Sequence, residues 1–239
     1  MPAISRSLLA MTLGGFALAG CSKQPDAAPP AAAQAPEADA SARKLAAYQE
    51  MVKIHSDQVA IQLGQEIVST YPGTEAANEV NKTLPGIEAS WKEASTKARL
   101  SNLWQYQVAP MQGGTQSTAT IYSSEPRGDD KVRLVLRRHT DWGQNVFLYG
   151  SGKGFQCSGD CTLPATFDGK SHPLKAFSPP TGEPALIFRN DPAFITALQK
   201  AKRITIDVVT KTRGKQTLVY EVGGYDPQKW APLPAKKKK

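Results

Sequence analysis

Residues that commonly carry chemistry are scarce in this chain: its 239 residues include three cysteines and three histidines. Neither type forms a familiar zinc spacing. Cys157 and Cys161 make a Cys-x3-Cys, there is no second cysteine pair, and no two histidines stand at i, i+4. No Gly-x-Ser-x-Gly elbow, Ser-x-x-Lys, His-Glu-x-x-His or Walker loop occurs. "GSGKG", residues 150 to 154, lacks the Lys-Ser/Thr ending and the following helix of a phosphate loop, and reads as a hairpin turn. These gaps argue against an enzyme, a resident cofactor and a bound metal. After the first twenty residues no apolar run is long enough to cross a bilayer as a helix. A formal charge of +8 looks basic, but Lys236 to Lys239 supply half of it, and the remainder does not argue for nucleic acid. The lysine end itself reads as a solvated tail, with attraction to anionic head groups or cell-wall polymers as the alternative.

What is present begins at the amino terminus. Met1 and Arg6 provide positive charge, and an uncharged run from Leu8 to Ala19 has the length of a signal core rather than of a spanning helix. The run ends at Leu18-Ala19-Gly20-Cys21, which resembles the lipobox of bacterial lipoproteins. That resemblance implies removal of residues 1 to 20, acylation of Cys21 and a stable membrane anchor, since several chains bind where a single chain holds only marginally. Ser22 follows the cysteine where inner-membrane-retained lipoproteins of enteric-type bacteria carry aspartate, so the resemblance also implies the periplasmic face of the outer membrane. The competing readings are an ordinary secretory signal with an incidental cysteine, or an apolar segment that stays uncleaved.

Three textures follow. Residues 21 to 40 are alanine, proline and a few charges with nothing large to bury, and read as an extended tether. From 41 to 103 apolar residues step by three or four. Leu45, Tyr48, Val52, His55, Val59, Leu63, Ile67 and Tyr71 form one stripe, with His55 as a packing residue on it. Pro72-Gly73 breaks the pattern, Thr74 caps a second helix, and a kink is expected at Pro85-Gly86. The expectation is an antiparallel helical hairpin. Its "YPGTEAA" turn faintly resembles the tetratricopeptide-like pairs of outer-membrane assembly lipoproteins, but one pair does not make a repeat array. From 104 to 230 the period falls to two, over short candidate strands separated by glycine, proline, aspartate and serine. One helix interrupts them, announced by Asn190 as cap and Pro192 in the first turn. The fold class is therefore α+β: a helical hairpin, then an antiparallel β-sandwich or barrel-like domain with one inserted helix, and a disordered lysine-rich tail over 231 to 239.

With Cys21 consumed by lipid, Cys157 and Cys161 remain as an even pair in an oxidising compartment and are expected to form a disulfide that pins a turn. A reactive thiol, or a metal site using His139 or His172, is the alternative. Residues 104 to 226 resemble a widespread proteobacterial exported domain of uncharacterised activity. The match rests on Trp104, "LVLRRHTDWGQNVFLYGSGKGFQC", a second cysteine before "FDGK", "AKRITID" and "YEVGGYD". A similar layout occurs in accessory lipoproteins of type VI secretion, whose strand ends in Arg-Cys where Arg138-His139 stands here. The resemblance implies fold and address, and transfers no site. Arg137, Arg138 and His139 at one strand end, with Lys211, Arg213 and Lys215 in a turn, are the candidate binding face if they converge; scattered, they are a soluble surface. The first functional expectation is a non-enzymatic, outer-membrane-anchored binding or scaffold module docking an envelope protein partner. The alternatives are an accessory component of a secretion system, and an envelope enzyme or enzyme inhibitor using His139 with Cys157.

Overall fold

A computed structural model describes residues 34 to 150 and 152 to 233. The signal segment, Cys21, the start of the tether and the Lys236 to Lys239 tail lie outside the described residues. Within them the chain combines four α-helices with two antiparallel sheets, so the mixed α and β class holds.

The helical region has three helices where two were expected: α1 (Gln34–Lys53), α2 (Asp57–Thr70) and α3 (Glu75–Asn102). α1 takes in residues 34 to 40, assigned above to the tether; these are alanine-rich, and a proline in the first turn sacrifices no intrahelical hydrogen bond. The break between α1 and α2 falls at His55, which adopts a left-handed φ of 56°. There the Ser56 N–H donates to the Met51 carbonyl (2.9 Å) and the His55 N–H to that of Val52 (3.1 Å), the paired bonds that close a helix end. His55 is consequently exposed in a turn and does not pack on the stripe. The second turn behaves as its sequence dictates: the Thr74 hydroxyl accepts from the Ala77 N–H at 3.2 Å and starts α3. α3 runs through Pro85 and Gly86 uninterrupted, because the turn behind Pro85 faces solvent and the carbonyl it orphans is left to water.

The helices close on one small core of Tyr48, Ala60, Ile67, Ala76, Ala77, Val80 and Leu84. Gly64 permits their approach. A Cβ at that position would lie 2.9 Å from Leu84 Cδ1 and 3.0 Å from the Tyr48 ring. Beyond Leu84 no α3 residue is buried, and the helix reaches the β region as a solvated rod. It docks there through Arg99, whose guanidinium holds both carboxylate oxygens of Glu221 at 2.9 and 3.0 Å, and through Leu100 against Gly223.

Eleven strands follow: β1 (Gln105–Met111), β2 (Gly114–Tyr122), β3 (Arg133–His139), β4 (Gly143–Tyr149), β5 (Asp160–Leu163), β6 (Ala165–Phe167), β7 (Lys170–Ser171), β8 (Leu174–Phe177), β9 (Ala185–Phe188), β10 (Arg203–Thr210) and β11 (Gly214–Glu221). Seven form one antiparallel sheet in the order β1-β2-β3-β4-β9-β8-β5, and four form a second, β11-β10-β6-β7. Pro164 separates β5 from β6. Proline cannot donate to a ladder, so the chain turns there and carries β5 and β6 into different sheets. Helix α4 (Asp191–Leu198) starts on the Asn190 side chain, which accepts from the Ala193 N–H at 3.2 Å.

Both sheets contribute to one core, with Ile121, Leu134, Leu136, Val146, Leu148 and Leu186 from the larger sheet meeting Ile204, Ile206, Val208, Leu218 and Tyr220 from the smaller. Isolated bridges, Glu125 to Val219 and Phe155 to Thr210, tie the small sheet to segments flanking the large one without closing a barrel. The second bridge also corrects the reading of residues 150 to 154. That segment does not return the chain as a hairpin but carries it across to β10, where the Lys211 N–H donates to the Gly154 carbonyl at 2.9 Å.

Candidate functional site

Alternation along "RLVLRRH" sorts β3 into two faces. Leu134, Leu136 and Arg138 point to the interior side, while Arg133, Val135, Arg137 and His139 point to the outer face of the seven-stranded sheet. Register then builds that face in rows. Tyr122, Arg133, Tyr149 and Ala185 are opposed across β2, β3, β4 and β9, and the next row is Thr120, Val135, Phe147 and Ile187. Thr118, Arg137 and Asn145 form a third row, with Gln107 of β1 opposite Thr118. The floor is therefore two cationic rows with an apolar row between them.

Walls turn this face into a groove of about 660 Å3. Pro179, Thr181 and Glu183 from the β8–β9 connection rise on one side, and Trp142, Met111 and Gln112 from two hairpin turns on another. Both arginines are held by aromatic rings. The Arg133 guanidinium lies 5.8 Å from the Tyr122 centroid and 5.4 Å from that of Tyr149; Arg137 lies 5.1 Å from Trp142 and 5.0 Å from Phe147. An Arg137 Nη donates to Asn145 Oδ1 at 3.1 Å. The Nε of each arginine is shielded from solvent and has no hydrogen-bond partner. Burial pulls the Arg137 guanidinium below the ordinary arginine value, an effect the Glu183 charge partly offsets. Such a site can hold an anionic group by charge-assisted hydrogen bonds and stack a flat ligand surface on exposed rings.

The six residues named in advance do not converge. Arg137 is in the groove. Its neighbour Arg138, on the opposite face, lies flat over the Trp230 ring at 3.7 Å and donates through Nη1 to the Trp230 carbonyl at 2.8 Å. His139 is only 3% exposed: its Nε2 bonds the Met111 carbonyl at 3.0 Å, and its Nδ1 accepts from the Asp141 N–H at 3.1 Å. Trp142 stacks on its ring at 3.8 Å. Those backbone partners fix the neutral tautomer with its proton on Nε2, and make His139 the support of the Trp142 wall. Lys211, Arg213 and Lys215 are exposed in the β10–β11 hairpin, where Arg213 pairs with Asp130 at 2.8 Å. Asp130 precedes the Arg133 end of β3, so the hairpin sits at the opposite end of that strand from residues 137 to 139, about 20 Å away at strand spacing.

Cys157 and Cys161 are disulfide-bonded, as expected, and Cys157 lies near the Ala176 carbonyl on the β8 side. Its sulfur is thus engaged in the bond, and His139 has both ring nitrogens on backbone groups, so the pair expected for an envelope enzyme does not assemble. Among the described residues no group of three or more His, Cys, Asp or Glu is placed to hold a metal ion. Arg133, Trp142, Tyr149 and Glu183 were missed from sequence. The period-two pattern of β3 already put Arg133 with Arg137, but adjacency in the run Arg137-Arg138-His139 concealed it.

Known proteins add nothing to this geometry. No family model, curated protein or solved structure matches the chain.

Proposed function

We propose that the protein is a binding module of the cell envelope, anchored by acyl chains on Cys21 at the periplasmic face of the outer membrane, and that the groove of the seven-stranded sheet is its ligand site. The observation that carries the reading is the groove itself, which Arg133 and Arg137 line with exposed aromatic rings beside them. Two cations and several rings converging on one concave surface make a ligand site. The signal-like start, the tether and the helical rod of α3 support a design that holds an open two-sheet sandwich away from the surface.

The test has two arms. Cells fed an alkyne-tagged fatty acid should label the wild-type protein and send it to the outer-membrane fraction, while Cys21→Ala loses both. The purified full-length protein in detergent, titrated with lipopolysaccharide core fragments and cell-wall digests, should show amide shifts confined to the groove-lining strands and the 179 to 183 segment. An unlabelled wild type refutes the anchor, and a groove silent to every envelope fragment refutes the binding reading.

A further inference from the structure

We infer that the ligand of this groove is an acidic oligosaccharide carrying two carboxylate groups that bind Arg133 and Arg137 together. The inference rests on the groove being the binding site and adds to it the class and the geometry of the ligand. Arg133 and Arg137 are four residues apart on one strand, hence about 13 Å between Cα atoms, and their guanidiniums sit over different rings, Tyr122 and Tyr149 for one and Trp142 and Phe147 for the other, so they present two separate cationic points. Each is flanked by exposed aromatic rings: Tyr122 and Tyr149 at one end, and Trp142, which is 43% exposed, at the other. Between the two cations lies the apolar Val135-Phe147-Ile187 row, in which Val135 is buried and Phe147 lies under the Arg137 guanidinium, so the surface for stacking a sugar ring is that of the exposed Tyr122, Trp142 and Tyr149 rings.

Polar side chains supply hydrogen-bonding capacity on the flank. Gln105, Gln107, Gln116, Thr118 and Thr120 line it, and Glu183 on the opposite wall accepts from hydroxyls. That set of short amides and hydroxyls fits a ligand rich in alternating O–H donors and acceptors. A peptide fits less well, because it gains affinity from backbone ladders, and the β2 and β3 backbones of this floor are already paired on both sides, while the open edge of β1 is two strands away from Arg133 and Arg137. A nucleic acid fits less well again, since two arginines offset by Glu183 cannot follow a phosphate at every residue.

The experiment uses the full-length protein in detergent with galacturonate oligomers of one to four units in a calorimeter, beside the methyl-esterified tetramer. Each carboxylate–arginine contact is a charge-assisted hydrogen bond, so the oligomer long enough to reach both should bind at least about tenfold tighter than the monosaccharide. The esterified tetramer should lose that gain, and Arg133→Gln or Arg137→Gln should each return the tetramer to monosaccharide affinity. Lys211→Gln, in the distant hairpin, should bind like wild type, and near-ultraviolet dichroism checks that each variant is folded. A tetramer no tighter than the monomer, in a groove that still responds to neutral cell-wall fragments, overturns the two-anion inference and leaves the binding site standing. A single-stranded oligonucleotide or acidic peptide binding the same groove more tightly than any oligouronate overturns the ligand class.

Discussion

Replacing Trp230 by alanine should be among the most damaging single changes in the β region, although the residue lies near the end of the chain in a segment with no regular secondary structure. Trp230 is 1% exposed, its Nε1 donates to the Ser117 carbonyl at 3.2 Å, and Arg138 covers its face at 3.7 Å. Truncating a buried tryptophan costs ~3–5 kcal/mol, a large part of the ~5–15 kcal/mol that typically holds a domain together. For a domain of this size that corresponds to a fall of about 10–15 °C in melting temperature. Trp230→Phe keeps an aromatic face but loses the five-membered ring and the Ser117 bond, for about 2 kcal/mol. Arg138→Met loses the cation–π contact and the bond to the Trp230 carbonyl, for about 1–2 kcal/mol. Combined with Trp230→Ala, Arg138→Met should add less than it costs alone, because the ring is already gone and only the bond to the residue 230 carbonyl remains to lose. Thermal and urea unfolding followed by circular dichroism measure all four. If Trp230→Ala melts within about 3 °C of wild type, or Arg138→Met abolishes ligand binding while leaving stability untouched, the assignment of Arg138 to a clasp rather than to the groove is wrong.

Three further outcomes follow from the packing. At Gly224 an added Cβ would come within 2.2 Å of the Leu100 backbone, so Gly224→Ala should force α3 away from the β region at ~1–3 kcal/mol, read as faster amide exchange over residues 99 to 102; unchanged exchange there contradicts the docking. Thr74→Ala removes the cap of α3 and should lower stability of the helical region by about 1 kcal/mol in urea unfolding, with Thr74→Ser recovering most of it. Burial pushes the Tyr225 phenol up to about 12, helped by Tyr106, and burial also raises that of Tyr220. A raised folded value means the stabilisation is complete below the unfolded value near 10 and is lost as pH climbs above it. Absorbance at 295 nm should therefore show Tyr225 ionising about two pH units late and Tyr220 only as the fold is lost, and reversible titration of all seven tyrosines near pH 10 in a folded protein would contradict this.

Much of the architecture was legible because it is written locally. Ile204, Ile206 and Val208 alternate with polar residues, and Leu218, Tyr220 and Val222 answer them, and these become buried core positions of the smaller sheet and its exit. Asn190 and Thr74 cap helices by hydrogen bonds that reach three residues along the chain. Cys157 and Cys161, four apart, had little choice of partner. His55 was misread because its helix end closes on a left-handed residue that is neither glycine nor asparagine, so the usual signal is missing. The candidate face was misread for a different reason: neighbours in a strand point to opposite sides, so Arg137, Arg138 and His139 reach a groove, a tryptophan clasp and a buried hydrogen-bond pair.

By itself the sequence determined the strand periodicities, the caps, the break at Pro72-Gly73 and the disulfide, since each depends on groups a few residues apart. Tertiary structure alone decided that β9 would join β4, that the 179 to 183 segment would rise beside the sheet, and that the 211 to 215 hairpin would sit at the other end of β3. A concave site needs a floor and walls from distant parts of the chain. Their meeting is fixed by strand pairing and core closure, which no short stretch of residues encodes.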